Sequence, residues 1–219
     1  MTETSGEKRS REEWRRKILQ LRAQVTPSQW RSLGQSGTQR VLDSEYGRKL
    51  FGQLHVKIGM YSPLSDEPSL EDLEALAVQD SRVHLFYPRI LSVAEKKMTL
   101  VEMPAEALIH HWVQGPYGIR EPHPSLKAAD DAVLKEIDLI FVPGVVLGEQ
   151  GERWGRGAGY YDRFLPQLPQ AIRVAFAFEF QITQALQQEP WDQGVDWILT
   201  EKRELKGPRF LEKWKLILK

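Results

Sequence analysis

Short, almost wholly apolar runs recur along this chain with helix-patterned stretches between them, and that alternation restricts the fold more than any other feature. Val56-Lys57-Ile58-Gly59-Met60-Tyr61 alternates as a strand does and ends at Ser62-Pro63. Val83 to Tyr87 is a second run, stopped by Pro88, and Met98 to Val101 is a third. Asp138 to Val142, bounded by Pro143-Gly144, suits a buried strand; Ala171 to Phe178 repeats its style, and Trp197 to Leu199 closes the series. From Arg11 to Ala23, Trp14, Ile18, Leu19 and Leu21 fall near helical spacing, with Arg and Lys on the other sides. Thr26-Pro27-Ser28-Gln29 predicts a fresh helix: Thr26 caps, Pro27 suits the first turn, Gln29 completes a capping box, and the helix runs into the early 40s. Pro68-Ser69 opens another, with Leu70, Leu73, Leu76 and Ala77 on one face. The pattern predicts an α/β fold, a three-layer sandwich with a mostly parallel central sheet and helices on both faces. Open sheets of this kind bind ligands beyond the carboxyl ends of their strands.

At 219 residues the chain predicts a single α/β domain over 11–219, after a polar, frayed N-terminus over 1–10. Lys+Arg and Asp+Glu are both 30, which excludes a nucleic-acid binder driven by bulk charge. No apolar run approaches the ~18 residues of a spanning helix, and no secretory leader opens the sequence. The absence of cysteine excludes disulfides, thiolate metal sites and a cysteine nucleophile, and fits a cytoplasmic setting. The five histidines lack metal-ligand spacing. The stretch from Gly115 to Pro124 reads as a long ordered loop, and the basic C-terminal stretch with Trp214 as a final packed element, ahead of a docking tail or a membrane-surface helix. A monomer or weak dimer is expected.

The most informative segment follows the strand at Asp138–Val142. After Pro143-Gly144 comes a turn around Gly151, and then Gly155, Gly157 and Gly159 alternate with Arg156 and Ala158 just before a helix-like Tyr160 to Leu165. A strand, a glycine loop and a helix start form an anion site, because backbone N–H groups converge and missing side chains allow close approach. Arg153, Arg156 and Arg163 supply charge suited to phosphate oxygens. The loop is neither a Walker A sequence nor a dinucleotide fingerprint. A plain tight turn is the simpler reading, which three glycines among three arginines disfavour.

These residues resemble the 5-formyltetrahydrofolate cyclo-ligase family, also called methenyltetrahydrofolate synthetases. The similarity lies in Pro143-Gly144, Gly151-Glu152-Arg153-Trp154-Gly155 and Gly157-Ala158-Gly159-Tyr160-Tyr161-Asp162-Arg163-Phe164-Leu165. It extends to Tyr117-Gly118-Ile119-Arg120-Glu121-Pro122, to Pro88-Arg89, to the acidic pair Asp66-Glu67, and to Asp192, Asp196 and Thr200-Glu201-Lys202. Three departures stand out: Leu147-Gly148 replaces the family's Phe-Asp, Arg11 stands where Lys is common, and Leu70 replaces a usual Thr.

The resemblance implies ATP-dependent cyclisation of 5-formyltetrahydrofolate to 5,10-methenyltetrahydrofolate, with ATP and a reduced folate as partners and Mg²⁺ as cofactor. It implies that Arg11 and Arg15 clamp ATP phosphates; their i, i+4 spacing shares one helix face, which also reads as a solvated basic face. Arg153, Gly155, Arg156, Gly157, Ala158, Gly159, Tyr160 and Tyr161 would form the nucleotide loop, with Arg156 and Tyr160 at the reacting centre. Arg156, Gly157, Gly159 and Tyr160 would also touch the folate, with Glu67 on the pterin and Tyr117 packed on a flat ring; an acid flanking a helix start and core aromatics are the plainer readings. Asp162 and Asp192 would hold Mg²⁺, or pair locally with neighbouring arginines. Two rivals remain: a non-catalytic paralogue that keeps the pocket for binding, and a ligase for a related amide metabolite.

Overall fold

In the computed structural model, residues 11–217 are described; the expectation for residues 1–10 falls outside them. The strands are β1 (Val56–Gly59), β2 (Val83–Ser92), β3 (Lys97–Glu102), β4 (Trp112–Gln114), β5 (Arg120–Pro122), β6 (Leu139–Phe141), β7 (Val146–Gly148), β8 (Arg153–Trp154), β9 (Ile172–Phe176), β10 (Ile182–Thr183), β11 (Trp197–Leu199) and β12 (Glu204–Lys206). The helices are α1 (Arg11–Arg22), α2 (Pro27–Asp43), α3 (Glu45–Leu50), α4 (Glu71–Gln79), α5 (Ala107–His110), α6 (Asp131–Lys135), α7 (Tyr160–Phe164) and α8 (Phe210–Ile217).

Seven strands form the main sheet in the order β12-β11-β9-β6-β1-β2-β3. The five inner strands are parallel, and β3 and β12 close the edges antiparallel. The period-two alternation of each strand divides the core between two faces. Ile58, Phe141 and Val174 point to one, where Val41 of α2, Leu50 of α3, Leu73 of α4 and Trp214 of α8 cover them. Ile140, Ala175 and Ile198 point to the other, under Leu134 of α6 and Phe164 of α7. The three-layer reading therefore holds. The capping box forms as expected, with Thr26 N–H donating to Gln29 Oε1 at 2.8 Å and Gln29 N–H to Thr26 Oγ1 at 3.3 Å. The basic C-terminal stretch packs through α8, whose buried Lys213 bonds Asp196 Oδ2 at 2.8 Å and Ala171 O at 2.9 Å.

Two sequence expectations need correction. Pro88 does not stop its strand, because β1 pairs only as far as Phe86; beyond it β2 pairs with β3 and with no other strand of the described residues, so a missing N–H on the other side leaves no ladder bond unmade. The stretch from Gly115 to Pro124 is not a loop throughout but largely a hairpin, in which Trp112, Val113 and Gln114 pair with Pro122, Glu121 and Arg120. Its tip holds Tyr117 at φ 61°, left-handed backbone that is costly for a bulky side chain. A small sheet, β10-β7-β8, was not legible, since its strands are two or three residues long.

The order of connections places the site. From β1 the chain moves to β2 on one side and later returns to β6 on the other. The segments leaving β1 and β6 diverge there and open a crevice at the carboxyl ends of the strands.

Candidate active site

A cavity of about 710 Å³ fills that crevice. Its walls are Tyr61 and Glu67 after β1, Pro143 and Gly144 after β6, the tip of the β2–β3 hairpin, the β4–β5 hairpin, the inner face of α1, and the glycine loop Gly155–Gly159. All fourteen candidate residues named from the sequence line it: Arg11, Arg15, Glu67, Tyr117, Arg153, Gly155, Arg156, Gly157, Ala158, Gly159, Tyr160, Tyr161, Asp162 and Asp192. No histidine does.

The glycine loop leaves β8 and enters α7. Gly157 and Gly159 take φ 105° and 77°, a left-handed region that side chains disfavour. The inner face of α1 is built from Arg11, Arg15, Ile18 and Arg22, spaced along one stripe. Arg15 Nε donates to Gly155 O at 2.9 Å, so α1 is fastened to the loop by the arginine expected to serve it. Burial and the nearby Arg11 lower the pKa of Arg15, although it stays charged. Arg11 pairs with Asp192 and lies over the Trp154 ring at 5.0 Å.

Arg153 is a brace rather than an open cation. It is buried, and its three nitrogens donate to Gln193 O at 3.0 Å, Pro143 O at 3.3 Å and Asp162 Oδ1 at 2.6 Å. Burial lowers its pKa, opposed by Asp162. Arg156 differs: at 37 % side-chain exposure it reaches out of the loop to Asp66 and to Glu67 Oε1, at 3.5 Å from the latter. The glycine loop and the acidic pair are thereby joined across the cavity.

Glu67 is itself buried and oriented. Its Oε2 accepts the Leu64 N–H at 3.1 Å, and its Oε1 also lies 3.6 Å from Arg22 Nη2. Arg22 was missed by sequence reasoning, because a basic residue on a helix normally signals solvent. Here it is 1 % exposed and donates to Asp66 O at 3.0 Å and Gly144 O at 3.0 Å. Gln181, also unremarked, donates to Gly144 O at 3.2 Å and Val145 O at 3.1 Å. Together they pin the turn after β6 to the acidic pair after β1.

The aromatic wall is Tyr117 and Tyr160, whose hydroxyls lie 3.4 Å apart and whose rings meet edge to face at 6.2 Å. Loss of water contact and the Tyr117 hydroxyl push the Tyr160 pKa up to about 12, so it is a neutral donor at physiological pH. Tyr161 is pushed up too, by burial and by Glu67.

Asp162 and Asp192 suit a hard cation. Asp162 Oδ1 takes Arg153 and the Gln193 N–H at 3.1 Å; Asp192 Oδ2 takes Arg11 and the Glu189 N–H at 2.8 Å. Their other oxygens, Asp162 Oδ2 and Asp192 Oδ1, have no hydrogen-bond partner among the described residues. No group of three or more metal-ligating side chains occurs among the described residues. Two spare carboxylate oxygens beside the glycine loop are a donor set that Mg²⁺ could use, since that ion keeps waters in its shell.

The departure at Gly148 lies outside the cavity. A Cβ there would stand 2.1 Å from Glu152 Oε2, which accepts the Gln150 N–H at 3.1 Å. A carboxylate therefore still fills that turn, supplied by Glu152.

Fold and site together define an open-sheet α/β protein with a glycine-rich loop facing an oriented carboxylate across one cavity. Its sequence matches the 5-formyltetrahydrofolate cyclo-ligase family model over residues 7–201. The chain belongs to that family. It is 30% identical to the 5-formyltetrahydrofolate cyclo-ligase of Haemophilus influenzae, over 83% of this chain and 92% of that one. It is 27% identical to the Escherichia coli K12 protein of the same name, over 85% and 97%. Among solved structures, the Aquifex aeolicus 5,10-methenyltetrahydrofolate synthetase superposes with TM-score 0.72 at 26% identity, covering 89% of this chain and 91% of that one. The Mycoplasma pneumoniae synthetase shares the fold, with TM-score 0.64 at 21% identity, covering 87% and 98%.

Proposed function

We propose that the protein converts 5-formyltetrahydrofolate to 5,10-methenyltetrahydrofolate at the expense of ATP, releasing ADP and phosphate. The observation that carries this reading is Arg156, which joins the glycine loop to the Asp66–Glu67 pair, with Arg156 and Glu67 both lining one cavity. This reading takes the loop as the phosphate-binding element and Glu67, distant in sequence, as the pterin-binding carboxylate.

The formyl oxygen attacks the γ-phosphorus as the bond to ADP breaks, and the N5 lone pair makes the carbon an iminium phosphate. N10 then attacks that carbon, the C–O bond breaks, phosphate leaves with the oxygen, and N10 loses its proton. Phosphoryl transfer asks mainly for positioning and charge neutralisation. Backbone N–H groups of Gly155–Gly159, with Arg15 and Arg11, hold the phosphates. Arg156 turns from its carboxylates to the phosphoryl group in flight. Glu67, held by Arg22, accepts N–H groups of the pterin, while Tyr160 and Tyr117 flank the flat rings. Asp162 and Asp192 would hold Mg²⁺, which supplies neutralising charge to the phosphates when bound.

The partners in this reading are two small molecules, ATP and the reduced folate. No helix of the described residues is long and apolar enough to cross a membrane. The paralogue reading rests on Gly148 and on Arg11 in place of Lys; Gly148 lies outside the cavity with Glu152 beside it, and Arg11 keeps a cation on the cavity wall, which supports the catalytic reading.

The test mixes purified protein, MgATP and 5-formyltetrahydrofolate and follows the near-ultraviolet absorbance of the conjugated product. Product formation strictly dependent on ATP is expected. Binding of both molecules without turnover would instead make the chain a paralogue, and turnover of a different formamide would reassign its substrate.

A further inference from the structure

Six basic side chains line the cavity, and five have work inside the protein. Arg11 pairs with Asp192, Arg153 with Asp162, and Arg156 with Asp66 and Glu67. Arg15 donates to Gly155 O, and Arg163 folds back onto Gly159 O at 3.1 Å. The sixth is Lys96. Its ammonium has no hydrogen-bond or ion-pair partner among the described residues, although its neighbour Lys97 pairs with Glu95 at 3.0 Å.

Its backbone is equally unusual. Lys96 ends the turn between β2 and β3 at φ 54°, left-handed backbone where glycine is the ordinary choice. Left-handed backbone crowds a side chain's Cβ, so a lysine there lowers the stability of the hairpin tip. What the lysine gains is position: from this tip it lines the cavity together with Ile90 and Met98. The phosphate-binding arginines and the pterin-binding Glu67 belong to other walls.

We infer that Lys96 binds a carboxylate on the outward end of the substrate, the glutamyl end of the folate, and so sets preference for glutamylated over non-glutamylated substrate. The inference rests on the proposed reaction. With the pterin at Glu67 and the aminobenzoyl ring against Tyr160 and Tyr117, the anionic end of the substrate is left for the remaining wall, where Lys96 offers an unpaired ammonium as the complementary group.

Lys96→Gly separates recognition from folding, because glycine relieves the left-handed backbone and the variant should melt at or above the wild-type temperature. The KM of the wild type and of Lys96→Gly is measured for 5-formyltetrahydrofolate and for the same compound lacking its glutamate. The expected result is a KM for the glutamyl substrate raised roughly two- to fivefold, the scale of a partly exposed ion pair. The KM for the truncated substrate and both kcat values stay unchanged. Lys96→Arg restores the preference, and added salt weakens it in the wild type more than in Lys96→Gly. Equal KM values for wild type and Lys96→Gly on the glutamyl substrate would overturn the inference while leaving the reaction standing. No turnover of either substrate by the wild type would overturn the reaction and this inference with it.

Discussion

Arg22→Met is the most informative substitution for the architecture of the site. It keeps a long apolar stem and removes the guanidinium. In the structure that guanidinium touches Asp66 O, Gly144 O, Asp66 Oδ2 at 3.3 Å and Glu67 Oε1 at 3.6 Å, and lies over the Trp30 ring at 5.3 Å. Removing one partner of a buried ion pair typically costs ~3–5 kcal/mol, because the remaining charge is stranded. Here Glu67 keeps Arg156, Gly144 O keeps Gln181, and Asp66 is 26 % exposed, so the lower end applies, about 3 kcal/mol. For a chain of this size each kcal/mol moves Tm by ~2–4 °C, so a fall of roughly 6–12 °C is expected. Thermal unfolding followed by circular dichroism reads it. Arg22→Met/Glu67→Gln should recover part of the loss, since it neutralises the stranded carboxylate, and the two changes should be non-additive. The KM for folate should rise in the single variant through misalignment of Glu67. A Tm within about 2 °C of wild type, with unchanged KM, would refute the view that Arg22 organises the acidic pair.

Other substitutions probe separate parts. Arg156→Ala should lower kcat by about 10²-fold or more with little change in Tm, as expected for loss of a donor acting on developing charge; an effect confined to KM would contradict that role. Gly148→Asp sets a second carboxylate against Glu152 and should cost ~1–3 kcal/mol in unfolding experiments, relieved in Gly148→Asp/Glu152→Ala. Lys213, pushed down to about 8 by burial despite Asp196, loses its proton in the folded protein while the unfolded chain holds it to 10.5. Between those values the unfolded state binds more protons, so this group's contribution to stability increases as pH rises. In urea unfolding at about pH 8 and about pH 10, wild type should gain on Lys213→Met; a constant difference would contradict the shift.

Much of this was legible where the signal was local or densely patterned. The Thr26 capping box, the strand ending at Pro143-Gly144 and the glycine loop each carry their cause in consecutive residues. The β4–β5 hairpin and the β10-β7-β8 sheet were not, since strands of two or three residues are too short to show a period. The strand through Pro88 misled because proline's meaning depends on whether a neighbour strand lies beside it. The arginines show the sharpest limit. Arg22, Arg153 and Arg156 look alike in sequence, yet one organises the acidic pair, one braces the loop and one is accessible. That division is set by partners distant in the chain. Glu152 standing in for the carboxylate missing at Gly148 is likewise visible only in space.

The proposed chemistry has one direct isotopic signature. If the formyl oxygen is phosphorylated, then 5-formyltetrahydrofolate carrying ¹⁸O in its formyl group must deliver that atom to inorganic phosphate when turned over with unlabelled ATP. Mass spectrometry of the released phosphate should show one ¹⁸O per product formed. Label found in water, with none in phosphate, would contradict the proposed transfer and with it the roles proposed for the loop, Arg156 and the two aspartates.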